Sequence, residues 1–320
     1  MFDSITDITG IRVGNFTDSK NGTGCTVILF DEGGVSGVDV RGTASGTRQM
    51  DALNPLHIVE KIHGILLAGG SAFGLDAAGG VLKYLEERKI GFDTSAGRIP
   101  VVPTAVIFDL GFKNSKVRPD AKMGYTAAEK ASYGKFEEGS VGAGTGASIG
   151  KLFGIKQATK GGLGTASVQG DNGLIVGAAA VVNAFGDVIE PAASKIIAGT
   201  RRAPDEKSFA DASKLIKGGV VRKKFAYENT TLAVIATNAR LTKNSASKIA
   251  QMAQVGLTKV ISPAHSTFDG DVVFVVSVGK VEADINTIGL LAEEVTARSI
   301  LKGVKKADGL GFLPAYRDLG

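Results

Sequence analysis

The sequence predicts an α+β fold in which strands and helices form separate, stacked layers. Apolar segments rich in valine, isoleucine and alanine occur as neighbours, which suits antiparallel pairing. The helical segments are longer, separate pieces, and they do not alternate regularly with the strands as they would around a parallel sheet. The 320 residues, 43% of them hydrophobic, are enough to bury a large core between such layers.

The predicted strands are apolar runs bounded by turn-forming residues. They comprise residues 26–30, 37–41, 65–68, 101–110, 174–183, 231–237 and 272–278. The first two are separated by a predicted turn at residues 31–34, whose sequence is Asp-Glu-Gly-Gly.

The predicted helices comprise residues 54–61, 76–88, 120–131, 245–256 and 284–307. In the second of them, Ala77, Val81, Leu82 and Leu85 share one side, as expected of a helix that packs on a core. Residues 199–222 form the only segment with the composition of a linker. Because apolar strands flank that segment and we expect them to share one sheet, we predict a single domain over residues 1–320.

Glycine is abundant, with 44 residues, and it concentrates between apolar runs. Residues 69–74 follow a predicted strand and precede a helix, as a dinucleotide-binding loop would. Their glycines lack the GxGxxG spacing, however, and the bulky Phe73 adjoins the last one. Residues 161–164 lack the Gly-Lys-Ser or Gly-Lys-Thr ending of a phosphate-binding loop. We therefore expect the glycines of both clusters to allow close packing of the backbone, or to expose backbone N–H donors that line a site.

The composition argues against several classes of partner. The net charge is +5, but the cations are scattered among acids and there is no tryptophan, so we predict no nucleic-acid partner. Cys25 is the only cysteine and the three histidines form no metal-binding pair, so we predict no metal. Since neither glycine cluster matches a dinucleotide- or phosphate-binding loop, we also predict no organic cofactor. No apolar run reaches the about 18 residues of a membrane helix, and residues 1–10 do not read as a secretory signal. We therefore expect a cytoplasmic protein without a membrane partner.

Thr230 is the first candidate for chemistry, because it heads an apolar strand directly after a polar segment. A threonine hydroxyl is a weak nucleophile that needs a neighbouring base. If the bond between Asn229 and Thr230 breaks, the new α-amino group can serve as that base, since such groups titrate near neutral pH. The ordinary alternative is a threonine pair chosen for its strand propensity.

Three polar residues are candidates to assist Thr230. Asp269 and Asp271, in an Asp-Gly-Asp motif before a strand, could orient the amino group and stabilise its ammonium form. Asn183, at the end of an apolar strand, could donate to an oxyanion. The alternatives are an ordinary Asp-Gly turn and an asparagine that closes the turn at residues 185–187.

Taken together, the motifs resemble the self-processing L-aminopeptidase/D-esterase family, the DmpA-like peptidases, whose relatives include nylon-oligomer (6-aminohexanoate oligomer) hydrolases. The resemblance covers nearly the whole chain. The matching blocks are residues 40–42, 46–48, 68–78, 103–110, 142–147, 160–166, 182–187, 229–231, 236–239 and 268–271.

This resemblance implies a four-layer αββα sandwich, similar to that of N-terminal-nucleophile hydrolases but differently connected. It implies autoproteolysis into an α chain, residues 1–229, and a β chain, residues 230–320, and a homo-oligomer, commonly a tetramer. The implied site residues are the nucleophile Thr230, the oxyanion donor Asn183, Tyr125, Lys160 with Lys151 as the alternative lysine, and the pair Asp269 and Asp271.

The expected activity is hydrolysis of amide or ester bonds in small peptides or peptide-like oligomers. Asn-Thr at the cleavage site and the Asp-Gly-Asp motif look more like the nylon-oligomer hydrolases than like members that process before serine. One alternative is a self-cleaving acyltransferase of the ornithine acetyltransferase type, which would need an amine acceptor. Another is a nucleotide-binding protein that stays in one piece.

Overall fold

The computed structural model describes residues 1–220 and 229–319. The α-helices of these residues are α1 Ala77–Glu87, α2 Ala121–Glu129, α3 Ala212–Lys217, α4 Lys243–Val260, α5 Ile285–Lys305 and α6 Tyr316–Leu319. The strands are β1 Ile11–Asp18, β2 Thr23–Val40, β3 Gly46–Arg48, β4 Lys61–Ala68, β5 Phe92–Thr94, β6 Gly97–Ile99, β7 Thr104–Val106, β8 Ser148–Ile149, β9 Thr159–Lys160, β10 Leu163–Gln169, β11 Ile175–Asn183, β12 Asp187–Glu190, β13 Lys195–Ala198, β14 Thr230–Ala239, β15 Ile261–Ser262 and β16 Val272–Val281.

A nine-stranded mixed sheet organises the molecule. Its order is β10-β11-β14-β16-β2-β4-β7-β3, with β1 paired to β2, and the pairs β14–β16 and β4–β7 are parallel. The first part of β2 pairs with β1 and β4, whereas its last part pairs with β16. This one strand therefore joins two halves of the sheet.

The two halves pack face to face, and helices cover their outer sides. Leu232 and Val234 of β14 share a buried cluster with Ile28 of β2 and Ile65 of β4, which places a core between the halves. The alternate β14 residues join a second cluster with α4 and α5, while α1 and α2 cover β2 and β4 in a third. This is the αββα sandwich that the resemblance implies, and the predicted fold class is confirmed.

The predicted turn at residues 31–34 is wrong, because strands 26–30 and 37–41 are parts of the single strand β2. Residues 31–34 remain within the strand although Gly33 has a φ of +67°, and the register with β4 shifts between Leu29 and Gly34. A Cβ on Gly34 would lie 2.3 Å from Val276 Cγ2, so a residue without a side chain is needed where β2 approaches β16. The two glycines thus allow a bend within a strand rather than a hairpin.

The predicted helix at residues 54–61 is also wrong. A 3₁₀ helix ends at Leu53, and Asn54 is extended with φ −60° and ψ 134°. Pro55 explains this, because the residue before a proline is disfavoured in the helical region. The predicted strand 101–110 shortens to β7 for a related reason, since Pro103 has no N–H to give to a neighbouring strand.

Two further segments are more ordered than their composition predicts. Within the polar segment 199–222, of which residues 221–222 lie outside the described part, Arg201 is buried and its guanidinium donates to the carbonyls of Ala158 and Lys156. At the glycine cluster 69–74, the Gly70 N–H donates to Asp109 Oδ1 at 2.7 Å. This carboxylate takes up the backbone donor that a bound phosphate would need.

The other predicted helices and strands occur at the expected places with shifted ends. Among residues 1–220 and 229–319, no helix combines the length and the apolar character that crossing a bilayer requires.

Candidate active site

The sheet topology brings three separate sequence motifs to one point. Thr230 is the first residue of β14, and its direct antiparallel partner is Asn183, the last residue of β11. On the other side, Asn229 forms a parallel bridge with Asp269, just before β16 begins. All four side chains are buried, with Thr230 only 3% exposed. The candidate site therefore lies in the middle of the sheet, at the ends of three adjacent strands.

The peptide bond before Thr230 is contacted by two donors. The Thr230 hydroxyl Oγ1 donates to the carbonyl oxygen of Asn229 at 2.5 Å, and the Gly270 N–H donates to the same oxygen at 3.0 Å. The Asn229 side chain donates to Phe268 O at 3.2 Å, and its own oxygen is buried without a partner among the described residues. Two donors on one carbonyl oxygen polarise that carbonyl, which favours attack on its carbon.

Asp269 and Asp271 approach this bond from the loop before β16. Asp271 Oδ1 accepts the Thr231 N–H at 2.7 Å, and Asp269 Oδ1 accepts the Phe185 N–H at 3.1 Å. Burial, and then the negative charge of Asp271, raise the pKa of Asp269 to about 7. Asp269 can therefore take or give a proton close to neutral pH.

Asn183 is held so that its amide orientation is fixed. Its Oδ1 accepts from Lys151 Nζ at 2.8 Å and from the Ser148 N–H at 3.0 Å. With the oxygen held, Nδ2 is the end that can donate, and it makes a long contact of 3.3 Å to Phe108 O. A donor group fixed in this way suits oxyanion binding.

Of the two candidate lysines, the structure brings Lys151 to Asn183. Lys160 lies elsewhere, with Nζ donating to the carbonyls of Gly144 at 2.8 Å, Ala147 at 3.0 Å and Gly161 at 2.7 Å. Its complete burial lowers its pKa to about 7. Lys160 thus braces the glycine-rich segment that precedes Ser148, whereas Lys151 touches the candidate oxyanion donor itself.

Tyr125 lies in the outer helical layer, on α2. Its hydroxyl donates to Glu87 Oε2 on α1 at 2.7 Å, and its ring packs edge-on against Tyr84. Within the part of the chain that is described, the contacts of Tyr125 are made in this layer and not with Thr230 or Asn183.

Several residues near the site were missed by the sequence reasoning. Ser148 follows a glycine-dense block that carries no catalytic signature, so nothing marked it. His265 and Ser266 open the candidate segment that ends in Asp269 and Asp271, but the sequence pattern assigned no role to either of them. Asp109 is buried, which raises its pKa to about 6.

A small cavity of about 190 Å³ adjoins Asn183 through two of its partners, Ser148 and Lys151. Aromatic and aliphatic side chains form much of its wall; the lining residues are Phe108, Asp109, Gly111, Phe112, Ser148, Lys151, Gly154 and Ile155. Over residues 1–220 and 229–319, no group of three or more His, Cys, Asp or Glu residues is arranged to hold a metal ion.

Known proteins resemble this chain in both sequence and fold. A family model described as Peptidase family S58 matches residues 3–312. An uncharacterized aminopeptidase of Mycobacterium leprae (strain TN) is 37% identical, covering 98% of this chain and 93% of its own length. A 6-aminohexanoate-oligomer endohydrolase of Kocuria sp. (strain KY2) is 29% identical, and the match covers 93% of this chain and 85% of the relative's own length.

Among solved structures, the L-aminopeptidase D-Ala-esterase/amidase of Ochrobactrum anthropi, described as a variant of the Ntn hydrolase fold, has a TM-score of 0.72. It is 16% identical and covers 96% of this chain and 87% of its own. The fold expected from the DmpA-like resemblance is thereby confirmed. The chain belongs to peptidase family S58 and is a hydrolase, an aminopeptidase or amidase.

Proposed function

We propose that the chain cuts itself between Asn229 and Thr230 and then uses Thr230 to hydrolyse amide bonds in small peptides or peptide-like oligomers. The observation that carries the proposal is the pair of donors, Thr230 Oγ1 and the Gly270 N–H, on the carbonyl oxygen of Asn229. Self-cleavage would divide the single predicted domain into an α chain, residues 1–229, and a β chain, residues 230–320.

In the self-cleavage step, Thr230 Oγ1 attacks the carbonyl carbon of Asn229. The C–N bond breaks as the C–O bond of an ester forms, and the hydroxyl proton ends on the released amino group. Asp269, with its pKa near 7, is suited to pass that proton. Water then hydrolyses the ester, which leaves a carboxylate on Asn229 and a free amino group on Thr230.

In the substrate reaction, the new amino group of Thr230 accepts the hydroxyl proton while Oγ1 attacks the substrate carbonyl carbon. The amide C–N bond breaks as the ester of the acyl-enzyme forms, and the proton leaves with the released amine. Water then hydrolyses the ester, which frees the substrate's carboxylate and restores the Thr230 hydroxyl. A free α-amino group titrates at about 7.7 to 8.0, which is suitable for a base near neutral pH. Asn183 Nδ2 donates to the oxyanion, and Lys151 holds the amide in the required orientation. Asp271, bound to the Thr231 N–H, aligns the start of β14.

The substrate class follows from the relatives, which are named as aminopeptidases and as 6-aminohexanoate-oligomer endohydrolases. We place the substrate residue next to the cleaved bond in the 190 Å³ cavity beside Lys151 and Ser148. From the same family resemblance we propose a cytoplasmic homo-oligomer, a tetramer of αβ units, which light scattering of the native protein would test.

Intact mass and a denaturing gel of purified protein test the proposal. We expect two fragments, the smaller of which begins at Thr230, and an unbroken, inactive Thr230→Ala variant. Turnover without an added amine would exclude the acyltransferase alternative. An active wild-type protein that consists of one unbroken chain would overturn the proposal.

A further inference from the structure

Two adjacent residues outside the proposed catalytic set, His265 and Ser266, each bind one of the two carboxylates at the site. We propose that His265 is a positioning residue, which fixes Asp271 so that Asp271 in turn fixes the backbone beside Thr230. The inference rests on the proposed function, because it assigns His265 a role in the two reactions of Thr230.

The contacts form a continuous chain from His265 to the nucleophile. The His265 side chain contacts Asp271 Oδ2 through Nδ1 at 2.9 Å, and its backbone N–H donates to the same oxygen at 3.2 Å. The other oxygen, Oδ1, accepts the Thr231 N–H at 2.7 Å. Because a carboxylate oxygen accepts hydrogen bonds, we assign the proton of this contact to Nδ1.

Ser266 binds Asp269 in the same arrangement, with its side chain and its backbone N–H on one carboxylate oxygen. Its hydroxyl donates to Asp269 Oδ2 at 2.5 Å and its N–H donates to that oxygen at 3.2 Å, while Oδ1 accepts the Phe185 N–H. Each carboxylate therefore has one oxygen held by the His265-Ser266 pair and the other held by the sheet side of the site. The donors from His265 and Ser266 favour the ionised form of each carboxylate, and they oppose the repulsion that arises when both are ionised.

The backbone of His265 indicates that its orientation is imposed by these contacts. Its φ is +55°, in the left-handed region, which a residue with a Cβ adopts infrequently. Such conformations persist where surrounding contacts fix them, and here both donors of the residue reach a single oxygen of Asp271. Because His265 contacts Asp271 rather than the scissile bond, its action is indirect.

Variants of the full-length chain separate positioning from other roles. His265→Ala removes the side-chain donor, whereas His265→Asn retains an N–H donor close to the place of Nδ1. His57→Ala is the matched control, because that imidazole accepts from the Val59 N–H, far along the chain from the site. Self-cleavage is followed by intact mass, and kcat and KM of the matured enzyme are measured with alanine p-nitroanilide.

We expect His265→Ala to slow self-cleavage and to lower kcat by about 10- to 100-fold, as for the loss of one charge-assisted hydrogen bond. KM should change much less, since His265 does not touch the substrate. His265→Asn should recover most of both rates, and His57→Ala should match the wild type.

Wild-type rates in His265→Ala would overturn the positioning role while leaving the proposed function intact. Rates in His265→Asn as low as in the alanine variant would also overturn it. If the alanine variant does not fold, the rates of His265→Asn are compared with those of the wild type, and a loss of tenfold or more would overturn the positioning role. An uncleaved but active wild type would instead refute the proposed function.

Discussion

The reactivity expected of Thr230 depends on neighbours that are distant in sequence. A threonine hydroxyl alone is a weak nucleophile. Here the hydroxyl donates to the carbonyl oxygen of Asn229, and Thr230 pairs with Asn183 next to the two carboxylates. At this scale the two buried lysines differ most clearly. Both are almost inaccessible to solvent. Lys151 donates to Asn183, whereas Lys160 donates to backbone carbonyls and lies over the ring of Phe112.

Replacing each lysine by methionine should separate these roles. In Lys151→Met, Asn183 loses the charged donor that holds Oδ1, so kcat should fall by at least about tenfold. In Lys160→Met, three backbone acceptors lose their donor, so the free energy of unfolding should fall by about 1–3 kcal/mol. Kinetics and urea denaturation measure the two effects, and the reverse result would restore Lys160 as the site lysine.

The raised pKa of Asp269 gives a pH-dependent contribution to stability with a definite sign. The pKa is about 7 in the folded chain and 3.8 ordinarily, so between these values the folded state retains a proton that the unfolded state has lost. The contribution of Asp269 to the free energy of unfolding therefore falls as the pH rises from about 4 to about 7.

Asp269→Asn should remove this decline. Urea denaturation of the uncleaved Thr230→Ala chain, with and without Asp269→Asn, is compared at about pH 4 and about pH 8. The asparagine variant should gain stability relative to its parent at the higher pH only. An equal difference at both pH values would show that Asp269 is already ionised in the folded chain.

At the scale of elements, the ends of neighbouring strands decide where the chemistry occurs. The β14 strand starts at Thr230, between β11 and β16. In the tight loop before β16, the Gly270 N–H donates to the carbonyl oxygen of Asn229. The loop fits only because Gly270 has no side chain, since a Cβ there would lie 2.5 Å from the backbone of Ala44.

Gly270→Ala should therefore slow self-cleavage by tenfold or more, because the loop must move and the donor leaves the carbonyl oxygen. Gly79→Ala in α1 is the matched control, since its Cβ would meet only Ala121 Cβ at 3.9 Å and alanine favours a helix. Intact mass against time after synthesis measures both. Normal cleavage in Gly270→Ala would remove this N–H from the mechanism.

At the scale of the whole molecule, cleavage at residue 229 would cut the chain without dividing the sheet. After the cut, β14 would still pair with β11 of the α chain, and β16 with β2. The α5 helix of the β chain also packs against β10 and β11, over the buried cluster that includes Val295 and Ile300. Two such fragments would share too much buried apolar surface to separate in water.

We therefore expect processed protein to elute as one species under native conditions and to give two bands only after denaturation. Gel filtration followed by a denaturing gel of the same fractions checks this. Separate elution of the β fragment in buffer would contradict the interlocked arrangement of strands.

From the sequence alone, apolar periodicity predicted the layered α+β class, because periodicity is a local property. The family resemblance implied the αββα sandwich and the candidate residues Thr230, Asn183, Asp269 and Asp271. The local pattern misjudged β2 and residues 54–61, where two glycines and Pro55 act through long-range pairing and backbone restriction. Only the tertiary structure distinguished Lys151 from Lys160 and brought His265 to Asp271. Which polar group reaches which depends on strand register, and register is fixed by contacts between segments that the sequence separates.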